Sequence, residues 1–178
     1  SSDRNFYDRS YWNAHDRSGE VFLITGLGQY PNLGVTDAFA CIRRGDLQHT
    51  IRMSDVLGAD RMNQQVGPYR IEVIDPLNEL RITCAGKEQE FELDLHWRGS
   101  FPAVDESPHV SRNGAKIILD AQRFAQVGTW EGFIRVKGEE ILVDPATWVG
   151  TRDRSWGIRP VGEPEPAGRW VAEPEVDG

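Results

Sequence analysis

The 178-residue sequence predicts an all-β protein, an antiparallel barrel or sandwich of roughly nine or ten strands. Three observations carry that expectation. Large apolar residues recur at every second position in segment after segment, the period of a half-buried strand. Gly, Pro, Asn and Asp fall between those segments at short spacing, as hairpins require. A chain of this length forms one domain with a sizeable core, and closing a meander removes the exposed strand edges that would template aggregation.

The elements follow in order. Glu20 to Thr25, Ala38 to Arg43 and Gln48 to Met53 read as strands, the last two joined tightly through Arg44, Gly45 and Asp46. In Tyr69 to Ile74, Tyr69, Ile71 and Val73 share one face and Arg70 and Glu72 the other, and Leu80 to Cys84 repeats the pattern. Between them Pro76 presets a turn and Asn78 tolerates its left-handed position. Ala85 to Glu88 turns the chain into Glu90 to Arg98, the cleanest alternation in the sequence. Ser100 to Asn113, with two prolines and little periodicity, reads as a long loop. Lys116 to Gln126 is a further strand, with a helical alternative for Ala121 to Gln126. Thr129 to Val136 turns through Lys137, Gly138 and Glu139 into Glu140 to Asp144. This assigns 1–160 to the β-domain and 161–178, rich in Pro, Glu and Gly, to a linker or tail that leads towards something beyond it.

Charge and motifs exclude several function classes. Twenty basic against 28 acidic residues give a net charge of −8, the wrong sign for a phosphate-tracking surface, so nucleic acid is not an expected partner. No apolar run is long enough to span a membrane as a helix, and the opening SSDRNFYDRS has no secretory h-region, which makes the cytoplasm the expected compartment. Cys41 and Cys84 lack C-x-x-C spacing and fall in alternating apolar patterns, as buried free thiols do. Gly26-Leu27-Gly28 follows a strand but lacks the third glycine and the helix of a dinucleotide site, and no hydrolase, zincin, P-loop or EF-hand pattern occurs. His15, His49, His96 and His109 are not paired at ligand spacing. Neither a metal nor a cofactor is expected.

Two places gather groups capable of chemistry. His49 shares strand parity with Ile51, Met53 and Asp55, and Asp37 stands beside Phe39 and Cys41, so each sets a titratable group near an apolar face. A strand-end residue bonded to the backbone is the alternative in both cases. The second place is Gly150 to Pro160, GTRDRSWGIRP, where three arginines, an aspartate and a tryptophan crowd together. Arg152, Asp153, Arg154 and Arg159 there form either a buried ion-pair network with Trp156 or the setting of a catalytic acid.

That block, with the hairpin Gly132 to Gly138 and Glu140 to Asp144 before it, resembles the R-D-[HR]-S-W-G-x-R signature of the lipocalin-like AttH and CrtC superfamily, which includes carotenoid 1,2-hydratase (hydroxyneurosporene synthase). Phe22 to Asp37 is also similar to uncharacterised bacterial members. The resemblance implies a lipocalin-like (calycin-like) β-barrel, here the N-terminal one of two. It also implies a hydrophobic small-molecule ligand of isoprenoid, steroid or polyketide type. Its implied partner is a second lipocalin-like domain or a homodimer mate. For acid-assisted hydration, isomerisation or cyclisation of a double bond, the acid would be Asp153, or Asp37 with His49. Trp97, Trp130, Trp156, Phe39 and Met53 would line the ligand site. The competing expectation is a non-catalytic module that binds a ligand or docks a domain, recognised by a barrel without a titratable group inside or filled by its own side chains.

Overall fold

The computed structural model describes residues 3–88 and 90–159; the expected linker, 161–178, lies outside the described residues. Thirteen strands form one antiparallel sheet: β1 (Phe6–Asp16), β2 (Val21–Tyr30), β3 (Val35–Arg44), β4 (Leu47–Val56), β5 (Gln65–Val66), β6 (Tyr69–Asp75), β7 (Glu79–Gly86), β8 (Phe91–Gly99), β9 (Val104–Asp105), β10 (His109–Asn113), β11 (Lys116–Val136), β12 (Glu139–Val143) and β13 (Trp148–Ile158). The continuous path runs β4-β3-β2-β1-β13-β11-β8-β7-β6-β5, so ten strands make the wall, and β9, β10 and β12 attach to β11. The sheet curls until β5 comes against β3 and β4, without a hydrogen-bonded ladder to close it. None of the described elements is a helix, so none could cross a membrane as one.

Two expectations are corrected. The segments 116–126 and 129–136 are one 21-residue strand, and the helical alternative for Ala121 to Gln126 fails because those residues pair with Gly157 to Arg152 of β13. This strand is the spine of the sheet: β10, β9 and β8 pair along one edge, β13 and β12 along the other. The expected loop 100–113 contains β9 and β10, short ribbons laid on that spine. The turn at 75–78 forms, with the Asn78 amide donating to the Asp75 carbonyl, but Leu77 takes the left-handed position at φ 65° instead of Asn78.

The alternation read in the sequence sends one face of every long strand inward. Leu23, Thr25 and Leu27 lie opposite Ile42, Ala40 and Ala38, and these opposite His49, Ile51 and Met53. Across the sheet, Leu93, Leu95 and Trp97 face Cys84, Ile82 and Leu80 in the same way. All but Thr25, His49 and Met53 belong to one contiguous buried core, with Met53 packed against it.

The middle of the barrel is filled. Trp97 and Trp130 are fully buried and meet edge to face, centroids 5.0 Å apart at 62°. Room for them comes from Gly128 and Gly150, which stand in register with Gly99 on adjacent strands. A Cβ on Gly128 would stand 2.6 Å from the Trp97 ring, and one on Gly150 2.8 Å from Trp130 Nε1. That indole nitrogen donates to the Asn13 carbonyl at 2.9 Å. Tyr69, also fully buried, brings its hydroxyl to 2.8 Å from Thr25 Oγ1, and Thr25 donates to the Phe39 carbonyl at 2.7 Å. Since β6 and β2 are not neighbours in the sheet, this contact crosses the interior.

Truncating the floor is therefore expected to cost far more than removing its polar bridge. Trp130→Ala should destabilise by about 3–5 kcal/mol and Tyr69→Phe by about 1–2 kcal/mol, read from urea unfolding midpoints. Equal losses would show that the hydroxyl bridge, not the indole packing, holds the two sides together.

Candidate functional site

Above the tryptophan floor, at the end carrying the β2–β3 and β6–β7 turns and the β4–β5 connection, a cavity of about 430 Å³ opens. Leu27, Met62, Val73, Pro76, Leu77 and Phe124 give it apolar walls, and Asp8, Gln29, Arg61, Arg152 and Arg154 bring charge and hydrogen-bonding capacity. The register explains the mixture. On β1 the inward positions from Trp12 towards the cavity are Ser10 and Asp8, and on β13 they are Arg152, Arg154 and Trp156. The alternation persists along these strands, while its inward members turn polar.

The charges are unevenly satisfied. Arg154 grips Asp8 with two bonds, Nε to Oδ1 at 3.0 Å and Nη2 to Oδ2 at 2.8 Å, and this contact raises the Arg154 pKa. Arg61 reaches the same Asp8 Oδ2 at 3.2 Å, and its carbonyl accepts from Gln29 Nε2 at 2.9 Å, tying the β4–β5 connection to the barrel end. Arg152 has no such partner. Only 8% exposed, it lies with its guanidinium carbon 5.1 Å from the Phe124 ring centre, and no carboxylate among the described residues pairs with it. Its Nε is buried without an acceptor. Burial, reinforced by the charge of Arg154, pushes its pKa down to about 10.

Gln126, in register with Arg152, donates to the carbonyls of Leu77 and Phe101 at 2.9 and 2.7 Å. It thereby anchors the strained β6–β7 turn, whose Leu77 lines the cavity.

The strand places the other sequence-predicted residues apart. Because the block 150–158 is strand, Asp153 faces outward while Arg152 and Arg154 face inward, and the mutual ion-pair network expected among them does not form. Asp153 pairs instead with Arg123 at 3.4 Å, and burial raises its pKa despite that arginine. Asp37 and Phe39 also face outward: with Asp153 and Arg159 they line a cleft of about 260 Å³, where the Tyr30 hydroxyl donates to Asp37 Oδ2 at 3.3 Å. Arg159 lies over the Tyr7 ring, 4.8 Å from its centre.

His49 does face inward, but at the opposite mouth, where it lines a cavity of about 610 Å³ with Ile42, Leu47, Val136 and Ile141 below the Arg44–Glu139 ion pair. Trp97 and Trp130 are floor, and Trp156 lies 6.5 Å from Phe124. Asp8, Arg61 and Phe124 were not foreseen from sequence. Among the described residues no three His, Cys, Asp or Glu side chains gather as metal ligands.

Residues 1–175 match the family described as "Family of unknown function (DUF8625)", and the chain belongs to it. No curated protein matches. Among solved structures the chain is similar to kievitone hydratase from Nectria haematococca, with a TM-score of 0.64 and 19% identity over 83% of this chain. It spans about half of that protein, 47% of its length. The likeness shows a shared lipocalin-like all-β fold.

Asp153 yields a sign that can be measured. Its pKa is raised above 3.8, so folding favours the neutral acid. The associated stability is fully present below the ordinary aspartate value and is lost as pH rises through the raised one. Asp153→Asn, which fixes the neutral form, should flatten that loss and leave the thermal midpoint at pH 7 no lower than wild type. A lower midpoint would show that the Arg123 pair outweighs the burial.

Proposed function

We propose that this member of a family of unknown function binds a hydrophobic small molecule in the cavity above its tryptophan floor. One observation carries the reading: the barrel is packed through its middle, yet the end beside Arg152 is left open, with apolar walls and a buried guanidinium whose Nε has no acceptor among the described residues. Packing alone would have filled that space with aliphatic side chains. The RDRSWG block supports a finer kinship with the AttH and CrtC superfamily, whose implied ligands are isoprenoid, steroid or polyketide-like.

A second reading, acid-assisted hydration of a double bond, draws on a different observation. The outward cleft gathers Asp153, an acid with a raised pKa, together with Asp37 and Phe39. The hydratase that shares the fold adds support at the level of the fold alone. His49, at the far mouth, takes no part in either arrangement.

The neutral fluorescent probe N-phenyl-1-naphthylamine tests the first reading. Saturable one-to-one binding is expected, weakened at least about tenfold in Met62→Glu/Leu77→Asp, which places charge on the exposed rim and suits the left-handed position of residue 77. Binding that does not saturate, or that ignores the rim, would overturn it. For the second, a prenylated phenol is incubated in heavy-oxygen water: label incorporated by wild type and abolished in Asp153→Asn at unchanged stability supports catalysis. Label retained in the variant removes Asp153 as the acid.

A further inference from the structure

We infer that the ligand of this cavity is a hydrophobic monocarboxylate whose carboxylate pairs with Arg152 while its apolar body lies along Leu27, Phe124 and the Met62–Leu77 rim. The inference rests on the reading that the cavity binds a small molecule, and adds the chemistry of the ligand.

The argument begins with a charge that the fold leaves uncompensated. Arginine is among the residues least often buried, and where it is buried a carboxylate normally stands against it. Arg152 is 8% exposed and meets the face of Phe124 in place of a carboxylate. Asp8 cannot neutralise it, since both Asp8 oxygens already take bonds from Arg154, and one also from Arg61. The nearer consequence of Arg154 is repulsion, which adds to burial in lowering the Arg152 pKa. Arg61, by contrast, is 42% exposed, so solvent screens its charge. Among the described residues the cavity therefore carries one desolvated positive charge in excess, inside a protein whose net charge is −8.

Hydrogen bonding at Arg152 itself gives the same sign, while Gln126 Oε1, paired in register with it, is a buried acceptor without a donor among the described residues. Arg152 Nε and Trp12 Nε1, on residues paired in register, are both buried donors without an acceptor among the described residues. Both lack an oxygen, not a proton. A planar carboxylate matches the fork of a guanidinium with two parallel bonds, and its single charge balances the single excess one, where a phosphate monoester would bring nearly two. The walls then select what the carboxylate is attached to, because Leu27, Phe124 and the exposed Met62, Val73 and Leu77 offer nothing to a polar chain.

Isothermal titration of the full chain with dodecanoate, 1-dodecanol and dodecyltrimethylammonium tests this. Wild type should bind dodecanoate at least about tenfold more tightly than dodecanol, and the cation most weakly. Arg152→Met should abolish the preference while holding dodecanol affinity within about threefold, and Arg152→Lys should keep part of it. The methionine variant should also unfold no earlier than wild type, since it removes an uncompensated buried charge, whereas an arginine with a purely structural role would lower the midpoint. Equal affinity for acid and alcohol in wild type, a preference untouched by Arg152→Met, or failure of that variant to fold overturns the inference and leaves hydrophobic binding standing. Absence of binding by either dodecanoate or dodecanol removes the proposed function as well.

Discussion

Gly99, Gly128 and Gly150 lie side by side on β8, β11 and β13, and the interior is organised around the space they leave. Each forbids a side chain for a different neighbour: Gly99 for the Gln126 amide, Gly128 for the Trp97 ring, Gly150 for the Asn13 carbonyl and the Trp130 nitrogen. Bare backbone at Gly128 and Gly150 lets two indoles, paired in register on the adjacent strands β8 and β11, lie close to the sheet and meet edge to face. Once they do, the interior is divided. Below them the core is aliphatic down to the opposite mouth, where the cavity beside His49 opens. Above them, one step along the same strands, Gln126 and Arg152 begin a polar end that the floor holds apart from the core. The floor thus gives the cavity its depth, and the glycines give the floor its position.

The division also explains which parts of the fold the sequence disclosed. Strands such as β7 and β8 were legible because a strict period of two needs only a dry face and a wet one. The strands that build the cavity were not. β1 carries no strand signal because Asp8 and Ser10 occupy inward positions where an aliphatic residue would announce a strand, and β13 presents a crowded block because its inward members are Arg152, Arg154 and Trp156. Its alternation is intact; only its hydrophobicity is missing. Local sequence rules fail where inward positions serve something other than core packing, so the failures themselves mark the site. The turn at Leu77 is the backbone counterpart: Asn78 was the natural left-handed residue, yet the strain sits on a leucine that lines the cavity and whose carbonyl Gln126 holds.

Strand parity further separates residues that proximity in sequence had joined. Asp153 lies between Arg152 and Arg154 in the chain and across the sheet from both in space, so each pairs with a partner far away in sequence, Arg154 with Asp8 and Asp153 with Arg123. These long-range pairs set the charge of each face independently. Among the described residues the outward cleft sets Asp37 and Asp153 against Arg9, Arg123 and Arg159, an excess of one positive charge, while the inward cavity sets Asp8 against Arg61, Arg152 and Arg154, an excess of two. No composition count could have shown this, because the pairing depends on a register that only the folded sheet defines.

The excess charge constrains chemistry as well as binding. Hydration of an isolated alkene passes through a carbocation once the acid has delivered its proton, and a cation beside the desolvated Arg152 is repelled more strongly there than in water, because the surroundings screen less. The same guanidinium stabilises negative charge developing on oxygen. Any reaction proposed for this cavity would therefore have to build an oxyanion, as in addition of water to a double bond conjugated with a carbonyl, whose transition state moves charge onto the carbonyl oxygen. Carbocation chemistry with Asp153 as its acid, the second reading proposed above, would use the outward cleft, where two aspartates meet three arginines. Fold kinship with a hydratase favours neither face. The size and desolvation of the positive excess do distinguish them, since the larger excess includes the buried Arg152.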